Sequence, residues 1–240
     1  MADRKSVALG AAAALFLAVS GAASGAPATQ SPVVVELFTS QGCSSCPPAN
    51  ASLSAVSEQP GVLALSFGVT YWDYLGWKDS FAKPAFTTRQ YNYERTLHRA
   101  TAYTPQMVLN GESDLVGNDL GQLEGAIDAE RAAVAKRPMG SMPKIDLTAD
   151  AVEIGAAKAP EDGADVWLVR YDPNTVAVPV ARGENGGRTL PHKNVVHELT
   201  RLGDWDGSAR HFDLPPAGGL KTAILVQSAY GGEIVAAATD

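Results

Sequence analysis

Residues 33–56 read VVVELFTSQGCSSCPPANASLSAV, and the fold is decided here. The stretch begins with a compact apolar and β-branched run, residues 33–38, which predicts a buried strand that ends at a short polar and glycine segment. Residues 47–56 predict a helix, because proline is tolerated in the first helical turn and two apolar residues share one face. Cys43 and Cys46, the two cysteines of the chain, therefore lie where a strand passes into a helix.

The spacing of Cys43 and Cys46 permits reversible closure of a small disulfide ring. The free backbone N–H groups and the positive dipole end of a helix stabilise a thiolate, so such a cysteine has a pKa of roughly 3.5 to 7.5 instead of about 8.5. We expect Cys43 to be the exposed sulfur and the nucleophile, and Cys46 to be the resolving thiol that attacks a mixed disulfide. The pattern favours thiol–disulfide exchange.

A Cys-x-x-Cys pair is also compatible with two other roles. One is an inert structural disulfide that closes a four-residue ring. The other is a metal site, which would need distant ligands such as His192, His197 or His211, and these show no metal-ligand spacing relative to the cysteines. We assign no histidine to catalysis, and we expect neither a metal nor another cofactor.

A second segment, residues 102–111, reads AYTPQMVLNG and carries a family resemblance together with the cysteine motif. It resembles the thioredoxin-like superfamily, in which a Thr-Pro or Ile-Pro dipeptide with a cis bond opens a central strand beside the dithiol. The resemblance implies a cis bond between Thr104 and Pro105, with Pro105 in contact with the dithiol. It also implies two antiparallel strands and a final helix, at residues 107–109, 114–117 and 119–137.

The motif ELFTSQGCSSCPPA, residues 36–49, makes the resemblance more specific. It closely resembles a family of secreted bacterial proteins of unknown function whose first half is thioredoxin-like, and the resemblance covers nearly all of the mature chain. It implies an α/β thioredoxin-like domain over residues 29–138, but it implies no particular reaction, because fold alone does not determine function. Many thioredoxins carry a proline between the cysteines, whereas this chain has two serines, so the redox potential does not transfer.

The C-terminal part has a different sequence pattern. A breaker-rich link, residues 138–143, is followed by short alternating segments that predict an antiparallel β domain over residues 144–240. The expected fold is thus an α/β thioredoxin-like domain followed by a mainly antiparallel β domain, α+β overall. We expect the β domain to have its own core and to shape access to the dithiol. The aromatic segment 70–77 either lines the dithiol or is ordinary loop packing.

The N-terminus predicts export. Two basic residues precede an apolar run, residues 7–19, and small residues follow, which is typical of a secretory signal peptide over residues 1–28 with cleavage after Ala23 or Ala28. The run is shorter than the ~20 residues that span a bilayer. We expect a periplasmic or secreted protein without a membrane span in the mature chain; an uncleaved membrane anchor is the alternative.

The charge balance restricts the partners. The chain has 19 Lys and Arg against 26 Asp and Glu, and removal of residues 1–28 deletes two basic residues and one acidic residue, which leaves 17 against 25, a net charge of −8. A negative surface argues against nucleic acid or anionic lipid as a partner. The expected partners are protein thiols or disulfides and an unidentified redox protein.

Glu36 is the last candidate site residue. It interrupts the apolar run and shares a strand face with Val34 and Phe38, so we expect it to be buried beneath the dithiol. One hypothesis is that Glu36 takes the proton from Cys46 as that thiol attacks the mixed disulfide. The alternative is that Glu36 bonds to the backbone or pairs with a nearby cation.

Four residues therefore form the expected catalytic site: Cys43, Cys46, Pro105 and Glu36. The function that they indicate is an exported thiol–disulfide oxidoreductase. Two functions of other classes remain open. A copper-handling protein would use the same two thiolates to bind a soft metal. A non-catalytic binding module would retain the fold alone.

Overall fold

The computed structural model describes residue 1, residues 31–138 and residues 140–240. The predicted signal peptide and its cleavage sites lie almost entirely outside the described residues. Among the described residues, no helix has the length and apolar character needed to cross a membrane.

The described chain forms an α+β fold around one large mixed sheet. The elements in chain order are β1 (Val33–Thr39), α1 (Cys46–Val56), β2 (Val62–Gly68), α2 (Pro84–Thr96), β3 (Gln106–Leu109), β4 (Ser113–Leu115), α3 (Leu120–Ala135), β5 (Ile145–Leu147), β6 (Ala151–Ile154), β7 (Ala164–Asp172), β8 (Val176–Pro179), β9 (Thr189–His192), β10 (Val195–Trp205), β11 (Arg210–Asp213), β12 (Lys221–Ser228) and β13 (Ile234–Thr239). Short 3₁₀ turns lie at Asp73–Leu75 and Ala229–Gly231. The main sheet has eight strands in the order β13-β12-β7-β10-β2-β1-β3-β4, and β11-β6-β5 and β8-β9 form two smaller sheets.

Strand β1 organises the N-terminal part. It pairs with β2 in parallel and with β3 antiparallel, and β3 pairs with β4. Successive strand residues point to opposite faces. Leu37 accordingly packs with Leu53 of α1 and Leu123 of α3, whereas Phe38 packs on the other face with Phe86 of α2. The strand, helix, strand-pair and final-helix segments expected from the sequence are confirmed.

The C-terminal strands extend the same sheet. Strand β10 joins the free edge of β2 in parallel through Val195 and Ser66, and the Asn194 Nδ2 atom donates to the Ala64 carbonyl at 2.8 Å. Strands β7, β12 and β13 then continue the sheet in antiparallel pairings.

The C-terminal part has a hydrophobic cluster of its own and also shares one with the N-terminal part, so the expectation of a separate core is confirmed only in part. One hydrophobic cluster contains Phe67 of β2 together with Val169 of β7 and Leu225 of β12, because β10 brings the C-terminal strands against the N-terminal ones. A second cluster, around Trp205, lies wholly in the C-terminal part. The proposed boundary between residues 138 and 144 stays a prediction.

Candidate functional site: the Cys43–Cys46 disulfide

The two cysteines form a disulfide at the start of α1. Cys43 lies in the turn after β1 and Cys46 is the first residue of the helix, with 5.5 Å between their Cα atoms. The Cys43 amide donates to the Ser40 carbonyl at 3.1 Å, and the Cys46 amide donates to the Cys43 carbonyl at 3.2 Å. The turn that the sequence predicted between strand and helix is therefore closed by both the disulfide and backbone hydrogen bonds.

The disulfide is covered, while the residues between its cysteines are not. Cys43 and Cys46 are both 0% exposed, whereas Ser44 and Ser45 are exposed. The expectation that Cys43 is the exposed sulfur is wrong for this oxidised form. A loop from the C-terminal part, residues 180–188, connects β8 to β9 and binds the cysteine turn, residues 41–46.

This β8–β9 loop contacts the cysteine turn through two side chains. The exposed Glu184 accepts hydrogen bonds from the Ser44 amide at 3.0 Å and the Ser44 hydroxyl at 2.7 Å, and these bonds lower the pKa of Glu184. The buried Asn185 donates through Nδ2 to the carbonyls of Gln41 at 3.0 Å and Cys43 at 2.8 Å. The sequence indicated only a turn here, because nothing local shows which part of the molecule it contacts.

The Thr104–Pro105 bond is cis, as the resemblance implied. The Ser45 hydroxyl lies 3.5 Å from the Thr104 carbonyl oxygen and 3.3 Å from the Cys43 sulfur, so the cis peptide segment is next to the cysteine turn. The Trp72 indole donates to the Thr104 hydroxyl at 2.8 Å. A role for Pro105 itself stays a prediction.

Helix α2 supports the same segment from within the protein. The buried Gln90 donates through Nε2 to the Tyr103 carbonyl at 2.8 Å and to the Gln106 side chain at 2.9 Å. The Tyr71 hydroxyl donates to Gln90 at 3.1 Å, and burial raises the pKa of Tyr71 to about 12. These contacts hold both sides of the cis bond, and no pattern in the sequence indicated them.

A loop that we call the aromatic loop, residues 70–81, holds the turn that precedes Cys43. The Gln41 amide donates to the Asp79 carboxylate at 2.7 Å, and the Trp77 indole donates to the Gln41 side-chain oxygen at 2.9 Å. The Phe81 amide also donates to Asp79, at 2.8 Å, and burial raises the pKa of that carboxyl. Asp79 is a site residue that sequence reasoning missed, since a lone aspartate in a loop has no distinguishing pattern.

Part of the aromatic segment, residues 70–77, lines the cysteine turn, and part of it lies at the surface. Trp72 packs so closely on Gly42 that a Cβ atom at that glycine would lie 3.2 Å from the tryptophan Cβ. Trp72 and Trp77 thus line the cysteine turn, while Tyr74 is 78% exposed and contributes to the surface. That these rings bind a substrate stays a prediction.

Glu36 is buried, as expected, at 0% exposure. Its carboxylate pairs with Arg89 of α2, with distances of 2.6 Å from Nε to Oε1 and 3.1 Å from Nη2 to Oε2, and the Tyr93 hydroxyl donates to Oε2 as well. The side chain points to the α2 face of β1, opposite the face that packs against α1. The structure therefore shows the alternative arrangement considered for Glu36, in which its carboxylate pairs with a nearby cation.

The three histidines considered as metal ligands lie in two separate places. His192 and His197 both pack edge-on against Phe81, and burial lowers the pKa of His192 to about 4. His211 lies on exposed β11, where its ring bonds to Glu153 at 2.6 Å. Within residues 31–138 and 140–240, no three His, Cys, Asp or Glu side chains are placed so that they could hold a metal ion.

Comparison with known proteins places the chain in a family. The sequence profile described as "Protein of unknown function (DUF1223)" matches residues 34–227. The crystal structure of protein AGR_C_4864 from Agrobacterium tumefaciens is 33% identical over 86% of this chain and 92% of that chain, with a TM-score of 0.71. HBP35 of Porphyromonas gingivalis is 16% identical over 88% of this chain and 75% of that chain, with a TM-score of 0.54, and this likeness concerns the fold alone. No curated protein matches. The chain belongs to the DUF1223 family of proteins of unknown function, in agreement with the family resemblance of its sequence.

Proposed function

We propose that the protein is an exported thiol–disulfide oxidoreductase with a thioredoxin-like N-terminal part, residues 29–138. The observation that carries the proposal is the Cys43–Cys46 disulfide at the first turn of α1, beside the cis Thr104–Pro105 bond. An exported dithiol is exposed to an oxidising compartment, so a disulfide is its expected resting form. The substrates are protein thiols or disulfides.

The exchange reaction uses the two sulfurs in order. A substrate thiolate attacks the Cys43 sulfur, the Cys43–Cys46 bond breaks, and Cys46 leaves as a thiolate that then takes up a proton. A second substrate thiolate attacks the mixed disulfide and releases Cys43, so the substrate loses two electrons and the protein gains them. The reverse sequence reduces a substrate disulfide, and in that direction Cys43 attacks and Cys46 resolves.

Two neighbours of Cys43 suit it for attack. The Ser45 hydroxyl, 3.3 Å from the Cys43 sulfur, can donate to a thiolate at that position. The sulfur also lies at the start of α1, where the positive end of the helix dipole favours a thiolate over a thiol. Glu36 is assigned no proton transfer in this scheme, because Arg89 and Tyr93 already bind both of its oxygens.

The proposal is tested by turnover of a test protein disulfide. Reduced protein, regenerated by dithiothreitol, should reduce insulin faster than the reagent alone, and C43S and C46S should each abolish the acceleration. C46S should in addition accumulate a stable mixed disulfide with its substrate at Cys43. A wild-type rate equal to that of the C43S variant would refute the proposal.

The same preparations separate the other two functions considered from the sequence. A soft-metal protein would bind about one equivalent of Cu(I) per reduced dithiol and lose it in C43S. A non-catalytic binding module would show neither turnover nor metal. Isolation of a mixed disulfide formed by C46S in the exported compartment would identify the partner directly.

A further inference from the structure

The β8–β9 loop, residues 180–188, connects two strands that form a small sheet of their own, outside the main sheet. It nevertheless reaches the cysteine turn, about 140 residues away in sequence, and bonds to three of its residues: Gln41, Cys43 and Ser44. The disulfide is buried although the two serines inside its ring are exposed. A segment remote in sequence from the cysteines thus binds the turn that carries them.

Asn185 is the inner anchor of this cover. Its side chain is 0% exposed, donates to the buried Gln41 carbonyl, and adds a second donor to the Cys43 carbonyl, which also accepts from the Cys46 amide. The Arg188 guanidinium donates to the other side of the same amide at 2.7 Å, which fixes the orientation of the amide group. Unpaired buried carbonyls are costly, so the loop closes strongly at this point.

Glu184 is the outer anchor and differs in character. It is exposed and binds Ser44 alone, so water can replace its contacts at little cost. Gly183, which has φ +77, lies between the two sides of the site: a Cβ atom there would be 3.7 Å from the Trp77 Cβ and 3.8 Å from the Gly42 Cα. The loop therefore lies directly on the aromatic loop and on the cysteine turn.

The loop is also a defined unit that can move as one. The Val180 amide donates to the Arg188 carbonyl at 2.9 Å, and the Gly187 amide donates to the Val180 carbonyl at 2.8 Å. These bonds continue the β8–β9 hairpin and do not involve the cysteine turn. Loss of the Asn185 and Glu184 contacts would therefore release the loop from the disulfide without unfolding the hairpin.

We infer that the β8–β9 loop is a gate over the Cys43–Cys46 disulfide, held shut by Asn185 and Glu184. This inference rests on the proposed function, because a gate matters only if the disulfide reacts. Opening leaves the Gln41 carbonyl without a donor, removes one of the two donors of the Cys43 carbonyl, and leaves the Ser44 amide without an acceptor. A polypeptide segment can supply all three partners from its own backbone, so the gate favours protein substrates over small thiols.

The gate is tested by reduction of the disulfide with dithiothreitol in the full-length protein. Each event breaks the Cys43–Cys46 bond, leaves two thiols and oxidises the reagent to its cyclic disulfide; rapid alkylation and mass measurement follow it. N185A removes both buried hydrogen bonds and should accelerate reduction about tenfold. N185D keeps the shape but cannot donate, and should accelerate it by at least as much. E184A should accelerate it about two- to threefold.

A second measurement shows that the loop moves. Trypsin should cleave after Arg182 or Arg188 faster in N185A and N185D, by a factor similar to that for reduction. E161A, which changes an exposed acidic residue in another loop, should leave both rates unchanged. Faster reduction without faster cleavage would mean that Asn185 tunes the disulfide itself, and it would overturn the gate. Unchanged reduction in all three loop variants would overturn it as well.

These measurements remain valid if the proposed function fails. They follow chemical reduction of the disulfide, not turnover of a protein substrate. An inactive wild type with a fast-reducing N185A would refute the oxidoreductase and keep the gate. An active wild type with no effect of N185A, N185D or E184A would do the reverse.

Discussion

Two loops meet at the disulfide, and they are built differently. The aromatic loop contacts the cysteine turn through Trp72, Trp77 and Asp79, and Asp79 is buried with both oxygens bonded to backbone amides. The β8–β9 loop contacts it through one buried amide, Asn185, and one exposed carboxylate, Glu184. The aromatic loop supports the cysteine turn from within the protein, whereas the β8–β9 loop binds to the turn from outside. We therefore expect the aromatic loop to position the turn and the β8–β9 loop to control access to the disulfide.

The largest expected effect concerns the core below both loops. Glu36→Gln leaves the Arg89 guanidinium buried without its anion, and breaking a buried pair in this way costs about 3–5 kcal/mol of the free energy of unfolding. Urea denaturation measures the loss. The disulfide should still react with dithiothreitol at the wild-type rate under native conditions, since Glu36 lies on the face of β1 opposite α1.

Glu161→Gln is the matched control, because it makes the same change at an exposed position. It should leave the unfolding free energy within about 0.5 kcal/mol of wild type. Slower resolution of a mixed disulfide in a folded Glu36→Gln protein would restore the proton-acceptor hypothesis for Glu36.

The next effect tests the support given by the aromatic loop. Asp79→Ala leaves the Gln41 and Phe81 amides without acceptors and should lower the free energy of unfolding by about 2 kcal/mol. Because Gln41 belongs to the cysteine turn, loss of this bond should also lower the turnover of a test disulfide. Asp162→Ala, at an exposed position, should change neither quantity.

The local part of this design could be predicted from sequence. The strand, the cysteine spacing, the helix and the cis Thr104–Pro105 bond are specified within short segments, by apolar runs, proline positions and a family motif. The partners of those segments could not be predicted. Arg89 lies 53 residues from Glu36, and Asn185 lies 142 residues from Cys43.

The junction between the N-terminal and C-terminal strands of the main sheet could not be predicted for the same reason. Alternating residues predicted the C-terminal strands, but they carry no information on which edge those strands join. The junction depends on Val195, on Ser66 and on the Asn194 amide, which bonds to the Ala64 carbonyl. A single polar residue at a strand end is not recognisable in one sequence as the connection between two halves of a protein.

A smaller effect is expected at the cis segment. Trp72→Phe keeps the ring against Gly42 but removes the hydrogen bond from the indole to the Thr104 hydroxyl, which should cost about 1 kcal/mol of unfolding free energy. The aromatic loop should stay in place, so the dithiothreitol rate should change less than twofold. Tyr74→Phe, on the exposed side of the same loop, is the control. An increase in the dithiothreitol rate as large as that expected for N185A would show that the aromatic loop also opens. The contrast between the two loops would then disappear.

The smallest effect is a pH dependence of the β8–β9 loop. The Ser44 hydrogen bonds lower the pKa of Glu184, so its contact is complete above the ordinary glutamate pKa of about 4.3 and is lost as the pH falls through the lowered value. Thiol reagents react slowly in acid, so a water-soluble phosphine, which becomes the phosphine oxide as it reduces the disulfide, is the suitable probe between pH 3 and 6. E184A should be reduced faster than wild type at pH 6, and the two rates should converge toward pH 3 because the wild-type contact is then lost. A constant ratio across this range would show that the carboxylate of Glu184 does not hold the loop.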